Sequence, residues 1–329
     1  MTLPQIVKEV VGKATIRLAM KSFPMRSLLS PIGLRTRKEW FPPGVAVKVR
    51  GPEGQPLILC DPAQNYFSFQ LFWGGTGYYE PLTQVVLSEL LARAGCFLDI
   101  GANIGFFSLL AGLQARVPQA YAFEPHPRLY RLLSANLAAN GFNHIQSVPV
   151  AISNQVGEIS FYVSGSDMSG SIESHFSHKQ EKAVTVHTTT LDAFFAEHQG
   201  QPPFVIKLDV EGHEPSVLEG AMTFLTRQRP DIVIEVATEY RTEPYPRLRE
   251  LGYNYYAITA HGLVRSESLK PCIENHFWHS NFLFSVRPPE ELAELSRAVR
   301  EAAGRIDLTA SSETVDDAKI KRLRSHVKP

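Results

Sequence analysis

The stretch FLDIGANIGFFSLLA, residues 97–111, constrains this chain more than any other. An apolar run ends at Asp99, Gly101 and Gly105 flank Asn103, and apolar residues then resume. Such a run reads as a buried strand, and glycines at its end let the backbone turn sharply into a helix. Two glycines and a carboxylate between a strand and a helix suggest a ligand held at the strand's carboxyl end. The glycine pattern alone does not say which ligand.

From residue 80 the pattern is regular. EPLTQVVLSELLARAG reads as a helix ending at Gly95, CFLDI as a strand, and a helix follows from about Gly105. AYAFE (120–124) is a strand, residues 127–141 a helix stopped by Gly141, and IQSVPVAI (145–152) a third strand. FVIKLDV (204–210) and DIVIEV (231–236) continue the alternation, with YNYYAIT and NFLFSV as late strands. Strands alternating with helices imply a doubly wound, mainly parallel sheet.

The expected organisation is an N-terminal extension over residues 1–79, a helix plus a small β lead-in around VAVKV. An α/β domain follows over 80–290, with a β-hairpin and loop insertion at 157–190. Residues 291–329 are expected to be a C-terminal helix and mobile tail. Within the insertion, the Ser/His-rich stretch 164–182 has the composition of a surface loop, and a lid over a binding site is one use for it.

A dinucleotide fingerprint starting at Gly101 would need glycines where Asn103 and Phe106 stand. The missing second glycine matters most, because it lets backbone approach a pyrophosphate. An NAD-linked oxidoreductase is therefore disfavoured, and no GK[ST] phosphate loop occurs. S-adenosylmethionine fits better, since its methionine end carries a carboxylate that a glycine turn and helix start can hold. Asp99 can accept from its ammonium or order the loop. Glu124, 25 residues on at the next strand end, can accept from both ribose hydroxyls.

DIGANIGFFSLLAG, AFEPHPRLYRLLSANLAANG, VPVAIS and IKLDVEGHEPSVLEGA together resemble the FkbM family of S-adenosylmethionine-dependent methyltransferases. The likeness covers roughly residues 75–287. It implies a Rossmann-like, doubly wound methyltransferase sheet of seven strands whose last is antiparallel, with NFLFSV the candidate for that strand. It also implies that Asp99, Gly101, Asn103 and Gly105 form the cofactor loop, that Glu124 holds the ribose, and that Val150 and Ala151 flank the adenine. His213 departs from the family, which more often has a small or apolar residue there.

The densest polar cluster follows FVIKLDV. Lys207, Asp209 and Glu211 share one face of an extended chain. Charges inside a buried parallel strand are costly unless paired, so Lys207 and Asp209 are expected to pair or to serve a site. Asp209 is the first choice for general base, His213 the alternative, and Glu235 at the end of DIVIEV could face the same pocket. Glu211 and Glu214 can be accounted for by the helix start they flank. Trp73, Tyr78, Tyr79 and Trp278 are aromatics placed to roof the pocket.

The function expected is methyl transfer to oxygen, on a sugar, glycan or natural-product hydroxyl. A carboxylate or amine acceptor is the alternative within the class, and a cofactor-binding module without catalysis is a further alternative. No metal site is assigned. His175/His178 and His276/His279 have H-x-x-H spacing but no accompanying carboxylate motif, and nothing in the sequence supports a cation at Asp209 with Glu235. Formal net charge is zero, which does not indicate nucleic acid as a partner.

Residues 1–40 carry eight Lys or Arg against two Glu. The helix read at 5–20 could lie on an anionic membrane, but packing on the main domain is preferred. Three separated cysteines, Cys60, Cys96 and Cys272, with no CxxC pair suit a reducing compartment. No signal peptide and no membrane span are read, so a cytoplasmic protein is expected.

Overall fold

The computed structural model describes residues 3–21, 25, 28–29, 40–52, 54–114, 117–163, 170–171, 182–236, 244–267, 269, 272–274 and 277–306. The extension contains α1 (Leu3–Ala19), a hairpin of β1 (Ala46–Arg50) and β2 (Pro56–Cys60), and α2 (Tyr66–Gly74). The alternating part begins with α3 (Pro81–Leu91), β3 (Cys96–Ile100), α4 (Phe106–Leu113), β4 (Ala120–Phe123), α5 (Pro127–Ala139) and β5 (Ile145–Val148). Four strands and a helix follow: β6 (Ala151–Ile152), β7 (Gly157–Val163), β8 (Gly170–Ser171), β9 (Lys182–Thr189) and α6 (Leu191–Glu197). Next come β10 (Phe204–Leu208), α7 (Glu214–Glu219), α8 (Met222–Gln228), β11 (Asp231–Glu235) and α9 (Tyr245–Glu250). The chain closes with β12 (Asn254–Thr259), β13 (Gly262–Ser266), β14 (Cys272–Glu274), β15 (Phe277–His279), β16 (Asn281–Ser285) and α10 (Ala293–Ala303).

The main sheet runs β13-β12-β16-β11-β10-β3-β4-β5. The strands from β5 to β11 are parallel, and β16 is antiparallel to both β11 and β12. NFLFSV is thus the antiparallel strand expected of it. The sheet has eight strands rather than seven, because β12 folds back through a tight turn and β13 is added at its outer edge.

IQSVPVAI does not form one strand. Pro149 has no N–H to give to a ladder, and the chain leaves the main sheet after Val148. Ala151 and Ile152 then pair with β9 in a second sheet, ordered β6-β9-β7-β8. The segments GEISFYV and AVTVHTT pair antiparallel within it.

Side chains alternate across the sheet, so each strand feeds two cores. Phe97, Val205, Val233 and Leu283 pack under α3, α4 and α5. Leu98, Ile206, Ile232, Ile234 and Phe284 pack on the opposite side with α6 to α9. Asp99, Lys207 and Glu235 fall in the first set by the same alternation, as does Asn281, whose Cα partner is Glu235. Asp99, Lys207, Glu235 and Asn281 therefore emerge on one face of the sheet.

In α1, Ile16 and Ala19 are fully buried and Trp40 packs on Gly12, while Val10, Val11 and Leu18 are exposed. No helix among the described residues is long and apolar enough to cross a membrane. His175, His178 and His276, most of the 164–182 loop and the tail beyond 306 lie outside the described residues, as do the side chains of Trp278 and His279.

The β lead-in is fixed to the main body by two asparagines of SANLAANG. Asn136 is fully buried; its Oδ1 accepts from the Cys60 N–H at 2.7 Å and its Nδ2 donates to the Ile104 carbonyl at 2.8 Å. Asn140 makes the same pair of bonds with both backbone groups of Ile58. Removing a side chain that satisfies two buried backbone groups leaves both desolvated. Asn136→Ala is expected to lower stability by about 2–3 kcal/mol, read as a shifted urea midpoint with unchanged slope. A loss below about 0.5 kcal/mol would show that the lead-in is held by apolar packing alone.

Candidate functional site

The carboxyl ends of β3, β4 and β10 open onto a cavity of about 340 Å³. Its lining includes Asp99, Gly101, Asn103, Glu124, Val150, Ala151, Lys207 and Asp209, brought together from four separate segments. Six of the seven residues expected to bind cofactor are on that wall. Gly105 is not: it precedes α4 with φ 88°, and a Cβ there would lie 2.5 Å from the Leu133 side chain. Its glycine is required by the packing of the loop on α5.

Gly101 has φ 84°, and a Cβ on it would meet the Asp209 carbonyl oxygen at 1.8 Å. No side chain fits, so this glycine sets how closely the β3 and β10 loops approach. Asp99 is buried and its Oδ2 accepts from the Ser108 hydroxyl at 2.6 Å, tying the strand end to α4. Burial pushes the Asp99 carboxyl up to about 6, against the pull of that hydrogen bond.

Glu124 is also buried. Its Oε2 accepts from the Asn103 N–H and its Oε1 from the His126 N–H, both at 2.8 Å. The carboxylate therefore locks the glycine loop in place. Each oxygen keeps a second lone pair for a hydroxyl from the cavity. Beyond it, Phe123, Val150, Ala151, Ile152 and Phe161 provide an apolar wall for a flat ring.

At the other end lies a cluster of charge. Lys207 is 0% exposed; its Nζ lies 3.3 Å from Asp209 and 3.7 Å from Glu80, and 5.0 Å over the Phe107 ring. Burial alone would lower the Lys207 pKa, but Asp209, Glu80 and Glu235 outweigh it and raise it. The ammonium stays protonated and cannot serve as a base. Carboxylate oxygens of Glu80, Asp209 and Glu235 lie within 4.8 Å of one another. Burial, then the Asp209 and Glu80 carboxylates, push Glu235 well above its ordinary range; burial also raises Glu80.

Glu80 was not singled out from the sequence, where it reads as the first turn of α3. It precedes Pro81 with φ 41°, a left-handed conformation uncommon for any residue but glycine. That backbone turn aims its side chain down at β10. Tyr79, next to it, packs its ring against Phe67 in a tilted contact at 4.3 Å and lines the cavity with Phe106 and Phe107.

His213 must be corrected. It is buried and does not line the cavity; its Nε2 lies 2.9 Å from the Ser153 hydroxyl, linking the β10 loop to the strand end at Ile152. Trp73 is core, and Tyr78 is half-buried and accepts from Gln70. Glu214 accepts from the Val210 and Gly212 N–H groups at 3.0 and 3.2 Å and so holds the β10 turn, while Glu211 is exposed at the rim with φ 52°.

The buried carboxyls give a pH prediction. The folded value of Glu124, about 8, lies above the ordinary 4.5, so the folded state binds this proton more tightly. Its contribution is full below about 4.5 and is lost as pH rises to about 8, at up to about 1.4 kcal/mol per pH unit. Urea unfolding between pH 5 and 8.5 is expected to show wild-type stability falling with pH, and Glu124→Gln falling less steeply. Parallel curves would show that Glu124 is ionised throughout.

Residues 99–255 match the family model of the methyltransferase FkbM domain. Two curated relatives are similar over part of their length. One is a hexuronic acid methyltransferase, AglP, of Haloferax volcanii, 30% identical over 140 residues, 42% of this chain and 54% of that protein. The other is a 2-O-methyltransferase, NoeI, of Sinorhizobium fredii, 32% identical over 147 residues, 40% of this chain and 59% of that one. The chain thus spans little more than half the length of these relatives. Among solved structures, a methyltransferase FkbM from Methylobacillus flagellatus aligns at 16% identity, over 58% of this chain and 43% of that one, with a TM-score of 0.38. An O-methyltransferase from Bacillus cereus solved with S-adenosylhomocysteine aligns at 13%, over 64% and 82%, with the same score. Residues 99–255 of this chain thus resemble the methyltransferase FkbM domain, with the matching motifs in order around one cavity.

Proposed function

We propose that this chain is an S-adenosylmethionine-dependent O-methyltransferase whose acceptor is a hydroxyl of a sugar, glycan or related natural product. The reaction class is supported by the likeness to the methyltransferase FkbM domain, and the sugar class by relatives named for hexuronic acid and 2-O methylation. The observation that carries the reading is the division of one cavity into two halves, with carboxyls and an apolar wall at Glu124 and charge at Lys207 and Asp209.

The residues present fit the cofactor. Backbone of the Gly101–Asn103 loop and the Asp99 carboxyl would hold the methionine end, Glu124 the ribose diol, and Val150, Ala151 and Phe161 the adenine. The bound sulfonium supplies an already activated methyl group. The chain's own task is to align the acceptor and take up its proton. With the methyl donor bound, Asp209 would accept the proton of the acceptor hydroxyl as its oxygen takes the methyl group from the sulfonium, which would leave as the neutral thioether. Lys207 holds that carboxylate in position, and alignment in such a pocket contributes several kcal/mol, up to ~7–11 in ideal cases. The base contributes a further ~10²–10⁴-fold. In this reading residues 80–290 are the catalytic unit, acting in the cytoplasm.

Calorimetry with S-adenosylhomocysteine is expected to give micromolar binding to wild type and at least tenfold weaker binding to Glu124→Ala. Asp209→Asn is expected to keep that affinity within about threefold while transfer from a labelled methyl donor falls ~10²–10⁴-fold. Absence of binding by folded wild-type protein would remove the cofactor assignment. Undiminished turnover in Asp209→Asn would remove Asp209 as the base.

A further inference from the structure

Lys207 and Asp209 line the inner end of the cavity, the Glu80 and Glu235 carboxylates lie directly beside them, and the charges of the four do not balance. If Glu80, Asp209 and Glu235 were all ionised, as ligands to a cation are, and Lys207 protonated, the sum would be −2 in a largely buried setting. Net charge of that size is costly where water is scarce. One divalent cation brings the sum to zero.

The geometry suits such an ion. One oxygen from each carboxylate falls within 4.8 Å of the others. Oxygens around one divalent cation at ~2.1–2.4 Å lie about 3 Å apart when adjacent and ~4.2–4.8 Å when opposite. All the donors are hard oxygens, which favours magnesium, manganese or calcium over zinc or copper.

A second observation points the same way. Asn281 is 3% exposed, and its Oδ1 has no hydrogen-bond partner among the described residues. Asn281 is the direct cross-strand partner of Glu235 in the antiparallel β11–β16 pair. Directly opposed residues project from the same face with their Cβ atoms ~4.5–5.5 Å apart. Two residues further along the same strands, Val233 and Leu283 are also paired and lie in one core cluster, which fixes the face. Asn281 thus shares the sheet face of Glu235, and its unpartnered amide oxygen is available as a neutral ligand. Asp209, Glu235 and Asn281 come from three neighbouring strands, and Glu80 descends onto them from α3.

We infer that Glu80, Asp209, Glu235 and Asn281 form a site for one hard divalent cation at the acceptor end of the cavity. Its binding stands on these residues alone; its role rests on the methyl-transfer reading. There it would hold an acceptor through two adjacent oxygens and lower the pKa of the hydroxyl to be methylated. The acceptor class this selects is a sugar with vicinal oxygens. Lys207 remains a fixed counter-charge beside the ion.

The test is titration of the full chain with manganese(II), following the free ion by electron paramagnetic resonance. Wild type is expected to bind one ion per chain saturably, and Glu235→Gln and Asn281→Leu to bind at least tenfold more weakly. S-adenosylhomocysteine calorimetry on each variant checks that the other end of the cavity is intact. Iron(II) with peroxide, applied to wild type alone, is expected to cut the backbone near residues 80, 209, 235 and 281, so the site is located even if a variant does not fold. No saturable manganese binding, equal affinity in folded variants, or cuts elsewhere would overturn the site. Failure of S-adenosylhomocysteine to bind while manganese still does would instead overturn the cofactor reading.

Discussion

The arrangement of this molecule depends on one buried ammonium. Lys207 sits in the middle of a parallel strand, fully enclosed, where a hydrophobic residue is the ordinary choice. It is tolerated because Asp209 and Glu80 lie within 4 Å and the Phe107 ring lies beneath it. Each partner comes from a different layer. Asp209 follows the strand itself, Glu80 begins the helix across the face, and Phe107 belongs to the helix after the glycine loop. The lysine thus ties the carboxyl end of the sheet to the two helices that cover it. Removing the ammonium would leave a cluster of carboxylates with no internal cation, which is why stability and chemistry meet at this residue.

The Glu124 end of the cavity is built by the opposite device, shared backbone rather than shared charge. Gly101 brings the β3 loop against the Asp209 carbonyl with no room for a side chain. Glu124 then fastens that loop from the neighbouring strand by two N–H bonds. The two loops are therefore positioned by contacts that do not depend on ligand.

Much of this was legible because local pattern and tertiary role coincide. The alternation of strands and helices gave the sheet, and the turn residues around Asp99 gave the loop, since each is set by near neighbours in the chain. Lys207 and Asp209 stood out as charges in an apolar run. What escaped was set by distant partners. Glu80 looks like an ordinary helix start, and only the fold brings it beside Lys207. Asn281 sits at the head of an apolar strand, and only the antiparallel register places it beside Glu235. His213 looked like a base because imidazole titrates near neutrality, whereas its neighbour in space is Ser153 and its place is outside the cavity. IQSVPVAI reads as one strand until Pro149 forces the change of sheet.

The central claim is that one cavity holds the methyl donor with its reactive end toward Lys207 and Asp209. A crystal structure of the chain with S-adenosylhomocysteine tests it most directly. The account predicts the ribose hydroxyls on Glu124, the adenine against Val150, Ala151 and Phe161, and the sulfur facing the Asp209 carboxylate across the space left for an acceptor. A ligand bound elsewhere, or one in this cavity with its sulfur turned away from Asp209, would contradict it.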